Sequence, residues 1–237
     1  MMPKESIIFE DQQILVLTKP PGLATQAPRE FDSLEARVRE YLLQISPEAT
    51  NSDRPPYLGI PHRLDRCASG IIVFAKTRKA AQRLSRQFEA REVGKVYLAD
   101  VVGHVEPASG EWRDYMRKIP DQPQGEVVAE EHPEGKLAVL QFEVQANSES
   151  ASRLKIQLET GRMHQIRIQC ASRGFPVVGD ILYGSERQFG PDVEHERDRH
   201  IALHAWQLTF LHPSVRERMT FESPLPANWE TMSPDTE

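Results

Sequence analysis

At 237 residues the chain suits one large domain or two small ones, a length that buries about 70% of the unfolded surface. Its 39% hydrophobic and 27% charged residues are those of a water-exposed globular protein, and the longest apolar run, Ile71–Ala75, is far too short to span a bilayer. The start, MMPKES, lacks the apolar core of a signal peptide, and Cys67 and Cys170 form no CxxC pair, so two reduced thiols and a cytoplasmic location are expected.

The net charge of −6 argues against a polyanionic partner, but its distribution argues for one. Residues 62–97 hold nine basic and three acidic side chains, a local charge of +6. Residues 153–173 hold five against one, a local charge of +4. The acidic groups concentrate in 121–134 and near both ends.

In chain order, Ile14–Leu17 reads as a strand ended by Lys19-Pro20-Pro21-Gly22. Asp32 or Ser33 can cap a helix carrying Leu34, Val38, Tyr41, Leu42 and Ile45, and 46–56 is a loop. Ile71–Lys76 is a buried strand. Thr77 then caps a basic helix to about Glu92, with Ala81, Leu84 and Phe88 on its inner face. Lys95–Val102 is strand-like, and Val127-Val128 a short strand within a Pro-containing insert. Leu137–Val144 and Arg153–Glu159 form a hairpin around the polar turn 145–152. Gly161–Arg173 reads as a helix closed by Gly174. Residues 184–199 are a polar, mobile loop, His200–Phe210 is a strand, and Pro213, Pro224, Pro226 and Pro234 mark an irregular tail. Strands outnumber helices and are often sequence neighbours, which predicts an α+β fold with a largely antiparallel mixed sheet, flanking helices and loops around a central cleft. The reading is a single domain over 1–237, with an ordered core of about 7–225.

Most informative is His62-Arg63-Leu64-Asp65-Arg66-Cys67-Ala68-Ser69-Gly70, followed by the buried strand. A lone carboxylate between two arginines stays ionised at neutral pH, and on a loop beside a rigid sheet it is a candidate nucleophile. A different chemistry is suggested by His195, His200, His204 and His212 near Glu194 and Asp198. On a helix, His200 and His204 would make a metal face for a hydrolase, but their alternating neighbours read as a strand, where positions four apart lie about 13 Å from each other.

The segment HRLDRCASGIIVFAKT resembles the catalytic motif of the RluA-type pseudouridine synthases, HRLDxxTSGLLxxAKT. Further segments resemble the same family in the same order: Val16–Leu23, Lys95-Val96-Tyr97-Leu98-Ala99, Leu158–Arg167, Gly174–Asp180 with Leu182-Tyr183-Gly184, and Leu203-His204-Ala205 with Phe210–Pro213. Together they span most of 7–225. Ala68 and Met163 stand where the family has threonines.

The resemblance implies an enzyme that isomerises a uridine, flipped out of a tRNA or rRNA stem-loop, with no metal and no organic cofactor. Asp65 would be the essential carboxylate, Arg167 its charge partner and Tyr97 the ring beside the target base. Arg63, Arg66, Arg162, His164, Gln165, Leu203 and Lys19 would contribute to substrate binding. The basic face of helix 77–92, with Arg153 and Lys155, would hold phosphates. A monomer is expected. No separate basic module is expected ahead of the core, so selection would fall to its own surface, including 105–136 and 184–199. A catalytically impaired RNA-binding module on the same fold is the alternative reading.

Overall fold

The computed structural model describes residues 6–45, 55–148, 150–227 and 229. Most of the loop expected at 46–56, and Pro234, lie outside them. The elements are β1 (Ile7–Glu10), β2 (Ile14–Lys19), α1 (Leu34–Ile45), β3 (Ser69–Ala75), α2 (Arg78–Glu89), β4 (Gly94–Val102), β5 (Ser109–Lys118), β6 (Gly125–Val128), β7 (Lys136–Ser148), β8 (Ala151–Leu158), α3 (Gln165–Ala171), β9 (Leu203–Leu211) and β10 (Arg218–Glu222). Strands dominate and pair largely antiparallel, as expected for the α+β class. The chain divides into two compact units: Met1–Val93 with Ala205–Pro224, and Gly94–His204 with Leu225–Glu237.

In the first unit the strand order is β1-β2-β3-β9, with β10 on β9. Every residue of β3 is buried, which is what its uninterrupted apolar run requires of a strand covered on both faces. Gly70 has φ +119°, and a Cβ there would meet the Ala205 carbonyl oxygen at 2.3 Å, so only glycine permits this approach of backbones.

Thr77 caps α2, its Oγ1 accepting from the Ala80 amide at 3.1 Å. The buried face is Ala80, Leu84 and Gln87, one position round from the expected Ala81, Leu84 and Phe88. The shift follows from Gln87, whose amide exchanges two hydrogen bonds with the Leu211 backbone: Nε2 donates to its carbonyl (2.8 Å) and Oε1 accepts from its N–H (2.7 Å). Phe88 is left half-buried and stacks on His62, with ring centroids 4.5 Å apart. In α1, Ser33 Oγ accepts from the Ala36 amide, and Leu34, Val38 and Leu42 face inward.

The second unit is a sheet in the order β4-β8-β7-β5-β6. The predicted hairpin is present with longer arms, β7 running to Ser148 and β8 starting at Ala151. Strand β5 was not predicted. Trp112 and Met116 point inward on it, but Asp114 lies between them on the same face, joined to Gln169 and Arg173. A charge at an inward position hides the two-residue period. Helix α3 starts at Gln165, not Gly161, because His164 takes the left-handed conformation (φ 52°, ψ 26°) and interrupts any earlier turn. Gly174 ends it as expected, at φ +82° with Phe175 N–H donating back to the Cys170 carbonyl. Strand β9 begins at Leu203 rather than His200, and the 184–199 loop contains a short 3₁₀ turn, Glu196–Asp198.

Candidate active site

Asp65 lies in the first unit, on the loop that runs into β3. Its backbone is held from both sides by the end of β2 and the segment after it. Thr25 Oγ1 donates to the Leu64 carbonyl (2.9 Å) and accepts from the Leu64 N–H (3.2 Å). Lys19 Nζ donates to the carbonyls of Pro20 (2.8 Å), Leu23 (2.8 Å) and Arg66 (3.1 Å). The residues on either side of Asp65 are therefore fixed by main-chain contacts, while its own side chain is half-buried. The Asp65 carbonyl accepts from Ala68 N–H at 3.3 Å and closes the turn. Arg63 is exposed and Arg66 half-buried.

Lys19 was expected at the substrate. It is instead 0% exposed, with its three donors directed at carbonyls, so it shapes the Asp65 loop from beneath. Burial pushes its ammonium down from the usual 10.5 to about 7, opposed by nearby Cys67 and Asp65. Between about pH 7 and 10.5 the unfolded chain then binds the proton that the folded chain has lost, so stability rises with pH across that window; below pH 7 the full burial penalty remains. Urea midpoints measured across it should climb less in Lys19→Met than in the native protein. Equal slopes would show that the ammonium stays charged.

Tyr97 and Arg167 lie in the second unit. Tyr97 is half-buried on β4, opposite Ile156 of β8. Arg167, on α3, is 4% exposed and forks onto Asp180: Nε to Oδ2 at 2.6 Å and Nη2 to Oδ1 at 2.8 Å. Its guanidinium carbon lies 5.0 Å from the Tyr183 ring centroid. Tyr183 Oη accepts from the Gly125 amide (3.0 Å) and is hydrogen-bonded to His164 Nδ1 (2.9 Å). A planar fork against a carboxylate and a ring fixes both the position and the plane of Arg167.

A model of RNA pseudouridylate synthases matches residues 13–172. The dual-specificity RNA pseudouridine synthase RluA of Haemophilus influenzae (strain Rd) is 35% identical over 233 residues, covering 93% of each chain. The ribosomal large subunit pseudouridine synthase D of Pseudomonas aeruginosa is 34% identical over 229 residues, 94% of this chain and 69% of that one. The chain belongs to the RNA pseudouridylate synthase family. The solved structure of human RNA pseudouridylate synthase domain containing 4 shares the fold, with a TM-score of 0.75 at 22% identity over 94% of this chain and 89% of that one.

Within this synthase, the other expected substrate residues separate by burial. Gln165 is 3% exposed. Its Oε1 accepts from Thr160 Oγ1 and the Arg162 amide, and its Nε2 donates to the Val139 carbonyl and Gln169 Oε1. It builds the turn ahead of α3 rather than offering an amide to RNA. Leu203 is buried at the first residue of β9. Arg162 is half-buried and directs Nε to the Leu137 carbonyl (2.9 Å), while His164 is half-buried beside the exposed Met163.

The two basic stretches also separate. Arg153, expected at phosphates, forks onto its cross-strand neighbour Asp100 at 2.7 and 2.8 Å, with its guanidinium carbon 5.1 Å from the Trp229 ring centroid. Arg173 pairs with Asp114, as Arg167 does with Asp180. The excess charge of 153–173 is thus largely neutralised inside the fold by carboxylates outside that stretch. On α2, Arg83 donates to the Pro213 carbonyl, but Arg78, Lys79 and Arg86 are exposed, as is Arg91 just beyond it.

Among the described residues no three His, Cys, Asp or Glu side chains lie close enough to hold a metal ion. His204 sits in β9, and His212 bonds to Asp11 at 3.0 Å, so the histidines of the hydrolase reading are not gathered into one centre. Neither Cys67 nor Cys170 forms a disulfide, and no helix among the described residues is long and apolar enough to cross a membrane. Sequence reasoning missed Asp180 as the carboxylate that holds Arg167. It lay inside a family-like segment, but nothing local links it to an arginine thirteen positions earlier.

Proposed function

We propose that this synthase converts one uridine of a structured tRNA or rRNA stem-loop to pseudouridine, acting as a cytoplasmic monomer through a single catalytic domain. The reaction breaks the N1–C1′ bond, turns the uracil and joins C5 to C1′; the proton leaving C5 is balanced by one gained at N1. Asp65 is the essential carboxylate, attacking C1′ or stabilising the positive charge that develops there as the base departs. Arg167 is its charge partner and Tyr97 the ring for the target base, roles that rest on the family motifs. The observation that carries the reading is the double main-chain hold on Leu64 and Arg66, which fixes the Asp65 backbone without consuming its carboxylate in that hold. Exposed Arg63 and the outer face of α2 offer cations to the RNA backbone.

RNA labelled with tritium at uracil C5 tests this directly. The purified protein should release tritium from total tRNA or rRNA, and release should map to one or a few sites. No release, with a related synthase active in parallel, would reduce the protein to an RNA-binding module.

A further inference from the structure

Loop 179–200 of the second unit folds around a cavity of about 170 Å³. Its lining includes Gly179 and Ile181, the two neighbours of Asp180. Phe189, Arg187 and Arg199 line it too, with Glu186 and Asp192 among them. Two glycines hold it in shape. At Gly179 (φ +88°) a Cβ would meet the His200 carbonyl oxygen at 2.6 Å and Phe189 Cβ at 2.7 Å. At Gly190 (φ +78°) a Cβ would meet His200 Nδ1 at 2.7 Å. Phe189 is braced edge-on by Trp229 at 5.8 Å.

The charges decide what this cavity suits. Two arginines alone would make an anion cradle, but two carboxylates share the lining and cancel their net charge. Arg187 Nη1 is also engaged, by the Ser150 carbonyl and hydroxyl (3.0 and 3.1 Å). What remains is a neutral-on-average lining rich in both donors and acceptors, with the rings of Phe189 and His200. That chemistry matches the edge and face of an unstacked nucleobase better than a phosphate.

We propose that this cavity binds a second, unmodified base of the substrate RNA. The inference rests on the reading of the protein as a synthase acting on structured RNA. Such a base would lie against the segment that carries Asp180, and Asp180 holds Arg167. The cavity would thereby add affinity for the RNA at a point remote from the reacting uridine.

Two arms test the proposal. In the first, adenosine and uridine monophosphates are titrated into ¹⁵N-labelled protein, with inorganic phosphate as control. The amides of Gly179, Phe189 and Gly190 should move with the nucleotides and not with phosphate. Shifts with phosphate alone, or with none of the three, overturn the proposal. In the second, Phe189→Leu should raise KM for RNA about tenfold, the value of one base stacked on an aromatic, with kcat unchanged, and Phe189→Tyr should restore it. Equal behaviour of the Leu and Tyr variants overturns it, because a merely structural apolar role would tolerate either. If no uridine is isomerised but the nucleotide shifts appear, the proposed function fails and the cavity assignment stands on the first arm.

Discussion

Asp65→Asn should lower pseudouridine formation by at least about 10³-fold, the scale on which loss of an essential nucleophile acts. Folding and RNA affinity should survive. The reason lies in how the loop is built: Thr25 and Lys19 grip the backbone of Leu64 and Arg66, and neither contact uses the Asp65 carboxylate. Tritium release, circular dichroism and filter binding read the three properties separately. Activity within tenfold of the native protein would show that the carboxylate is not the reacting group.

Asp180→Ala should have the largest effect on stability. It leaves Arg167 4% exposed with its fork removed, and breaking a buried pair from one side costs about 3–5 kcal/mol. Urea denaturation of this variant and of a charge-free double variant, read beside tritium release, distinguishes holding from catalysis. Arg167→Met combined with Asp180→Leu removes both charges together and should recover most of the lost stability. It should remain inactive, because the guanidinium proposed as the charge partner of Asp65 is gone. Recovery of activity along with stability would confine Arg167 to a structural role.

Apolar and local signals were legible in the sequence. The five-residue apolar run gave β3, Thr77 gave the start of α2, and Gly174 gave the end of α3. The motif that singles out Asp65 was legible as well. Buried polar residues were not. Lys19, Gln87, Gln165 and Asp180 are buried and Asp114 is half-buried on an inward face, although their residue types usually belong outside. Most are inside because a partner waits there: the Leu211 backbone for Gln87, Gln169 and Arg173 for Asp114, Arg167 for Asp180. Long-range pairs leave no periodic trace, so the same residues that gave a basic stretch at 153–173 gave no sign that the fold would neutralise it. The late start of α3 has a similar origin, since the left-handed turn at His164 accompanies a contact to Tyr183 nineteen positions on.

The path of the chain between the units sets an order of events during synthesis. The second unit is nearly continuous, from Gly94 to His204, whereas the first opens with residues up to Val93 and is completed by Ala205–Pro224. The unit that emerges first from a ribosome is therefore the one that waits. At about 5–20 residues per second, β3 spends roughly 7–27 s without the strand that the bare backbone of Gly70 is shaped to meet. During that interval an uninterrupted apolar strand carries an open edge, the kind of surface that chaperones bind and that neighbouring nascent chains can pair with. Helix α2 stays unlatched for as long, because Leu211 arrives with the same late segment.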